Sequence, residues 1–290
     1  MSQSSTFNFS FLKQTIKHSI FLIIFFSGAK CPSSDDKWIT LFNGKDLSDW
    51  TIKITTHPLN ENYGNTFRVN DGILKVSYDQ YTDFKGQFGH IYYKQKFSSY
   101  LLLVEYRFTG DQATGGPGWA FRNSGAMLHC QAPETIGLNQ EFPVSLEMQL
   151  LGGNGKDERH TGNLCTPGTN VFLNGKLFTP HCINSKSKTY HGDQWVKAEA
   201  LVFGDSIAKH IIEGDTVLVY EKLQIDGTDP VSKALGFKNG DPVKEGYISL
   251  QSESHPVEFR KVKLFDLSPY MQDHQKLESV LQRLQKRKTE

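Results

Sequence analysis

Pro143 to Gly153 reads P-V-S-L-E-M-Q-L-L-G-G, and its alternation decides the fold. Ser145, Glu147 and Gln149 share one parity, while Leu146, Met148 and Leu150 share the other. Successive side chains of a strand point to opposite faces. The segment is therefore expected to press its leucines and methionine into a core. Its other face would then present a carboxylate beside an amide.

Outward from this strand, the chain reads as short extended segments separated by turn signals. Ile39 to Phe42 is expected to be a strand, followed by a turn at Asn43–Asp46 and an extended stretch at Leu47–Trp50. Asn70-Asp71-Gly72 joins Phe67–Val69 to Ile73–Val76, a strong hairpin signal because two residues with positive φ match the twist of the flanking strands. Tyr100–Phe108 alternates in its last part. Trp195–Phe203 and Ala208–Ile212 turn at Gly204-Asp205, and Val217–Tyr220, Tyr247–Gln251 and Val257–Leu267 follow. Helical periodicity is almost absent, so the fold class is all-β, a sandwich of two antiparallel sheets over residues 37–268. The exception is the tail, residues 269–290. Leu277, Val280, Leu281 and Leu284 recur at i, i+3, i+4 and i+7, predicting a short amphipathic C-terminal helix packed on the domain edge.

The 290 residues carry a formal net charge of +1, which leaves no basic footprint for nucleic acid. Lys13 and Lys17 precede the apolar run Ile20–Phe26, and Ser27-Gly28-Ala29 follows with small residues. Residues 1–29 are read as a signal peptide, the run being too short to span a bilayer, and residues 30–36 as a linker. No membrane insertion is expected after processing, and the protein is placed outside the cytosol, secreted or periplasmic. Cys31 would allow lipoprotein anchoring, but Lys30 before it fits a lipidation site poorly. In an oxidising compartment Cys165 and Cys182 suit a disulfide across a Gly/Pro/Thr/Asn-rich loop. A Cys/His metal site is the competing reading, since His129, His160 and His181 flank the cysteines. No recognised zinc spacing supports it.

Several of these segments together resemble a known family. They are W-I-T-L-F-N-G-K-D-L-S-D-W (Trp38–Trp50), V-N-D-G-I-L-K-V (Val69–Val76), Y-R-F (Tyr106–Phe108), N-S-G-A-M-L-H (Asn123–His129), L-E-M-Q-L-L (Leu146–Leu151) and G-Y-I-S-L-Q-S-E-S-H-P-V-E-F-R-K-V-K-L (Gly246–Leu264). The ordered set resembles the 3-keto-disaccharide hydrolase family, once classed as a domain of unknown function. The resemblance implies a concanavalin A-like jelly roll with a sugar site on a concave sheet, and an exported protein whose partner is an oxidised oligosaccharide or glycoside. The chain departs from the family pattern at two places. His129 stands where the family's S-G-x-x-L-R ends in Arg, and the Cys165–Cys182 insertion with Thr189–Trp195 is longer than the usual loop.

An ordinary glycosidase needs two carboxylates flanking the bond. The glucanases of this fold carry theirs on one strand as E-x-D-x-x-E, but here Glu147 is followed by Gln149 and Leu150. A second acid would have to come from another strand, such as Glu105 or Glu253. A 3-keto sugar changes the requirement. Its carbonyl acidifies the C2 proton, and a single base then allows the aglycone to leave C1 before water adds. That chemistry needs a base, an electrophile at the carbonyl oxygen and an acid for the leaving group. Glu147 suits the base, and Arg107 or His129 the electrophile, a role a bound divalent metal could also take. His255 or His191 suits the acid. Asn123, Gln149, Gln251 and Glu253 are candidate ligand contacts, and Tyr190 and Trp119 candidate stacking surfaces. A non-catalytic carbohydrate-binding module and a conventional glycoside hydrolase are the alternatives.

Overall fold

The structure, a computed structural model, describes residues 38–286. The expected signal peptide, the linker and Cys31 lie outside the described residues. In chain order the strands are β1 (Ile39–Thr40), β2 (Trp50–Ile54), β3 (Phe67–Asn70), β4 (Ile73–Val76), β5 (Gly89–Phe97) and β6 (Ser99–Phe108). There follow β7 (Asn123–Cys130), β8 (Leu146–Leu151), β9 (Asn163–Cys165), β10 (Thr169–Leu173), β11 (Lys176–Phe178) and β12 (Cys182–Ile183). The last are β13 (Val196–Phe203), β14 (Ile207–Ile212), β15 (Asp215–Ile225), β16 (Gly246–Ser252) and β17 (Val257–Asp266). A short helix α1 (Pro230–Ala234) and the C-terminal helix α2 (His274–Lys286) complete the set.

Two antiparallel sheets form the sandwich. The ten-stranded sheet runs β11-β10-β15-β14-β13-β6-β17-β4-β3, with β1 on β17. The seven-stranded sheet runs β12-β9-β8-β7-β16-β5-β2. Leu146, Met148 and Leu150 of β8 are fully buried and share one core cluster with Leu102, Val104 and Tyr106 of β6 in the other sheet. The parity read from the sequence thus holds, and the fold is the expected jelly-roll sandwich. The hairpin at Asp71-Gly72 forms with both residues at positive φ, 53° and 75°.

The extended stretch expected at Leu47–Trp50 begins later. Asn43 Oδ1 accepts from the amides of Lys45 and Asp46, and Asp46 Oδ1 accepts from the amide and hydroxyl of Ser48, so side chains hold residues 43–48 as turns. The strand starts only at Trp50. The tail helix begins at His274, with Asp273 Oδ1 accepting from the Lys276 amide as its cap. Val280 and Leu284 are buried against Leu101, Phe265 and Tyr270, on the face of the large sheet turned away from the main core.

Candidate active site

The face of the seven-stranded sheet opposite the core carries a row of polar residues set by strand register. His90 of β5 pairs with Gln251 of β16, and Ser249 with Met127 of β7. Met127 in turn pairs with Glu147 of β8, and Gly125 with Gln149. Gln149 pairs with Asn163 of β9, and Glu147 with Cys165. Loops cover this face, so Glu147 is buried although strand parity alone would leave it in water.

A cavity of about 380 Å³ opens onto the row, lined by Asn123, Glu147, Gln149 and Glu253 together with Trp119, Phe142, Thr166, His181, Asp229 and the cysteine pair. Glu147, Asn123, Gln149, Glu253 and Trp119, all candidates for the site in the sequence, therefore converge. Gln251 lies on the same face beside them, fully buried.

Glu147 reaches its place across a glycine. A Cβ on Gly125 would lie 2.4 Å from Glu147 Oε1 and 2.7 Å from its Cγ, so any larger residue there displaces the carboxylate. Glu253 follows the end of β16, where the chain turns sharply. Ser254 sits at φ 80°, a conformation non-glycine residues rarely adopt, with its amide donating to the Tyr78 hydroxyl at 2.8 Å.

Burial raises the Glu147 carboxyl from the ordinary 4.5 to about 8. Glu253 is raised well above its usual range, first by burial and then by repulsion from Glu147. Two such acids cannot both ionise cheaply, so Glu147 gives up its proton first and Glu253 stays neutral. Burial also lowers His90, to about 3, keeping its ring uncharged.

Buried polar atoms are nearly always hydrogen-bonded. Here Glu147 Oε1, Glu253 Oε2, Asn123 Oδ1, Ser249 Oγ, His90 Nε2 and both side-chain polar atoms of Gln251 have no protein partner. These atoms gather on one sheet face, an arrangement able to receive a polar ligand. The rim is aromatic. Trp119 stacks on Phe88 at 5.7 Å while staying 55% exposed, and Phe88 continues to Phe142 at 5.2 Å. An exposed, pre-positioned indole beside a polar floor suits a sugar ring.

The other predicted residues lie elsewhere. Arg107 is on the large sheet, where it donates to Glu258 at 2.7 Å and covers the Trp195 ring. Glu105 on the same strand accepts from Arg260 and Lys261. His129 sits at φ 48° where the β7–β16 register shifts, its ring edge-on to Tyr100 and its Nε2 3.1 Å from the Gly204 carbonyl. Burial lowers its pKa to about 4. Neither Arg107 nor His129 is brought to Glu147 as the electrophile. Tyr190 packs into the core. His191 accepts from the Gly155 amide at the sheet margin, and His255 is buried between Phe108 and Phe121, so neither lines the cavity.

Cys165 and Cys182 form a disulfide, directly opposite each other on β9 and β12. Cys130 is a buried free thiol. Among the described residues no group of three or more His, Cys, Asp or Glu side chains is placed to hold a metal ion, so the competing Cys/His site does not form. Nor is any helix there long and apolar enough to cross a membrane. Sequence reasoning misses His90, Ser249 and His181 as site residues. His181 stands out in the sequence only as a neighbour of Cys182. Its signal is the disulfide itself, which pairs its strand to the one beside Glu147.

Residues 37–264 match a family model described as a 3-keto-α-glucoside-1,2-lyase-like domain. No curated protein matches the chain by sequence. Among solved structures, a candidate glycosyl hydrolase from Parabacteroides distasonis is 18% identical, covering 80% of this chain and 100% of its own with a TM-score of 0.48. A carbohydrate-binding module from Bacillus subtilis is 11% identical, covering 74% and 93% respectively with a TM-score of 0.40.

Proposed function

Because the chain belongs to the family of 3-keto-α-glucoside-1,2-lyase-like domains, we propose that it cleaves 3-keto-glycosides by elimination and then hydration. The carbonyl at C3 acidifies the C2 proton, which the Glu147 carboxylate removes. Glu253, held neutral, donates a hydrogen bond to the C3 oxygen as negative charge builds there. The electron pair at C2 then expels the aglycone from C1, and water adds to the resulting enone. Asn123 and Gln149 hold sugar hydroxyls, and Trp119 stacks on the ring.

The observation that carries this reading is the Glu147–Glu253 pair on one cavity, a base beside an acid kept protonated by its burial. The same pair favours a second reading. The second acid that β8 lacks comes from the end of β16, so conventional glycoside hydrolysis also has two carboxylates. Purified protein should release aglycone from a 3-keto-glucoside and not from the unoxidised glucoside, followed by chromatography of both products. The reverse preference would favour the conventional hydrolase, and binding without turnover the non-catalytic module. Glu147→Gln is expected to lose about 100-fold or more in turnover; full activity in that variant would sink the assignment. We place the protein outside the cytosol on the Lys13/Lys17, apolar and small-residue pattern of its first 29 residues, supported by the disulfide.

A further inference from the structure

Elimination leaves one role unfilled. The aglycone departs with the bonding pair on its oxygen, and an alkoxide is a poor leaving group unless a proton reaches it. The two carboxylates are already engaged at C2 and at the C3 oxygen. Asp229, also on the cavity wall, is committed as the cap of α1, its Oδ1 receiving the amides of Val231 and Ser232. Among the described residues, His181 is the only imidazole on the wall.

Its position is built, not incidental. The Thr166 amide donates to the His181 carbonyl at 2.7 Å, and the next residue, Cys182, is bonded to Cys165. Cys165 lies opposite Glu147 in the sheet register, so the disulfide ties the segment carrying His181 to the strand that faces the base. His181 Nδ1 lies 3.3 Å from the Thr166 carbonyl. A carbonyl can only accept, so Nδ1 carries hydrogen and Nε2 is the atom left to exchange a proton.

We propose that His181 is the general acid for the leaving group, an inference that rests on the elimination reading above. Glu147 takes the C2 proton, the C1–C2 double bond forms as the C1–O bond breaks, and the departing oxygen takes the proton from His181 Nε2. In the hydration step the neutral imidazole removes a proton from water as its oxygen bonds to C1. Glu147 returns its proton to C2, and both groups are restored.

The role predicts a dependence on the aglycone that a structural histidine would not show. An alkoxide needs the proton, whereas 4-nitrophenolate leaves without it. His181→Asn and His181→Gln should each lose about 100-fold in kcat/KM on a 3-keto-glucoside with an alkyl aglycone, and less than about threefold on the 4-nitrophenyl one. The alkaline fall of the alkyl pH profile should disappear with them. His181 is exposed, so neither variant threatens folding. Glu147→Gln, measured alongside, should lose both substrates. Undiminished turnover of the alkyl substrate by the His181 variants, or equal losses on both, would overturn the inference while leaving the Glu147 assignment intact. A wild-type protein inert on both substrates would overturn the elimination reading and this role with it.

Discussion

At Glu147 one side chain meets two opposed demands. Its carboxyl keeps a proton in the folded chain up to about 8, against an ordinary 4.5. Between those values the folded state binds more protons than the unfolded state, so stability falls as pH rises through the window. The proposed C2 proton abstraction needs that proton gone, so turnover should rise as stability declines. We expect kcat/KM on the 4-nitrophenyl 3-keto-glucoside to climb with pH and level off near 8, and thermal melting to drop between pH 5 and 8. Glu147→Gln should flatten the melting trend and gain roughly 1–3 kcal/mol at pH 8, since each tenfold change in proton affinity on folding corresponds to about 1.4 kcal/mol. A melting curve for that variant as pH-dependent as the wild type would refute the account. Gly125 is the complementary case. Gly125→Ala should lower turnover by about 10-fold or more by pushing the carboxylate aside, while the chain still folds. Parity makes the direction of Glu147 legible in the sequence. Its burial is not legible, because Trp119 and Phe142, which wall the cavity with it, come from separate segments of the chain.

Among the elements, β16 and the loop facing it do most to assemble the cavity. The loop bearing Trp119 is anchored by Gln112, whose Nε2 donates to the Pro117 carbonyl and to Ser254 Oγ, and by the Ala113 amide on the Ser254 carbonyl. Ser254 therefore fixes both Glu253 and the aromatic rim. Tyr78→Phe removes the hydroxyl that receives the Ser254 amide and should cost about 1 kcal/mol in denaturant unfolding, with a fall in turnover. Trp119→Ala should raise KM about fivefold with kcat nearly unchanged, as loss of about 1 kcal/mol of stacking would do. Equal losses in both constants would place the indole in the chemical step instead. Hairpins with strong turn residues, such as Asn70-Asp71-Gly72, are readable in the sequence. β5 is not, because G-H-I-Y-Y-K-Q-K-F does not alternate cleanly and both His90 and Tyr92 are buried on the covered face. Arg107 is misplaced by sequence reasoning for a related reason. Alternation says that a residue points away from the core, but not which of two sheets it points away from.

Across the whole molecule the two outer faces do different work. The small sheet carries the cavity. The large sheet carries ion pairs around Glu105 and Glu258, with α2 packed on its apolar part. Arg107→Ala should accordingly leave turnover within about twofold of wild type, since surface substitutions remote from a site usually shift little. Leu284→Asp should lower the melting temperature without altering KM, because it places a charge between α2 and Leu101 and Phe265. The Cys165–Cys182 bond carries a consequence for when the protein becomes competent. One wall of the cavity is completed by an oxidation and not by folding alone. In a chain newly made among reducing thiols the cavity carboxylates would already be in place, while the segment carrying His181 would be held to β9 by backbone hydrogen bonds alone. Under the export proposed above, crossing into an oxidising space would then act as the final step in rigidifying this wall of the cavity.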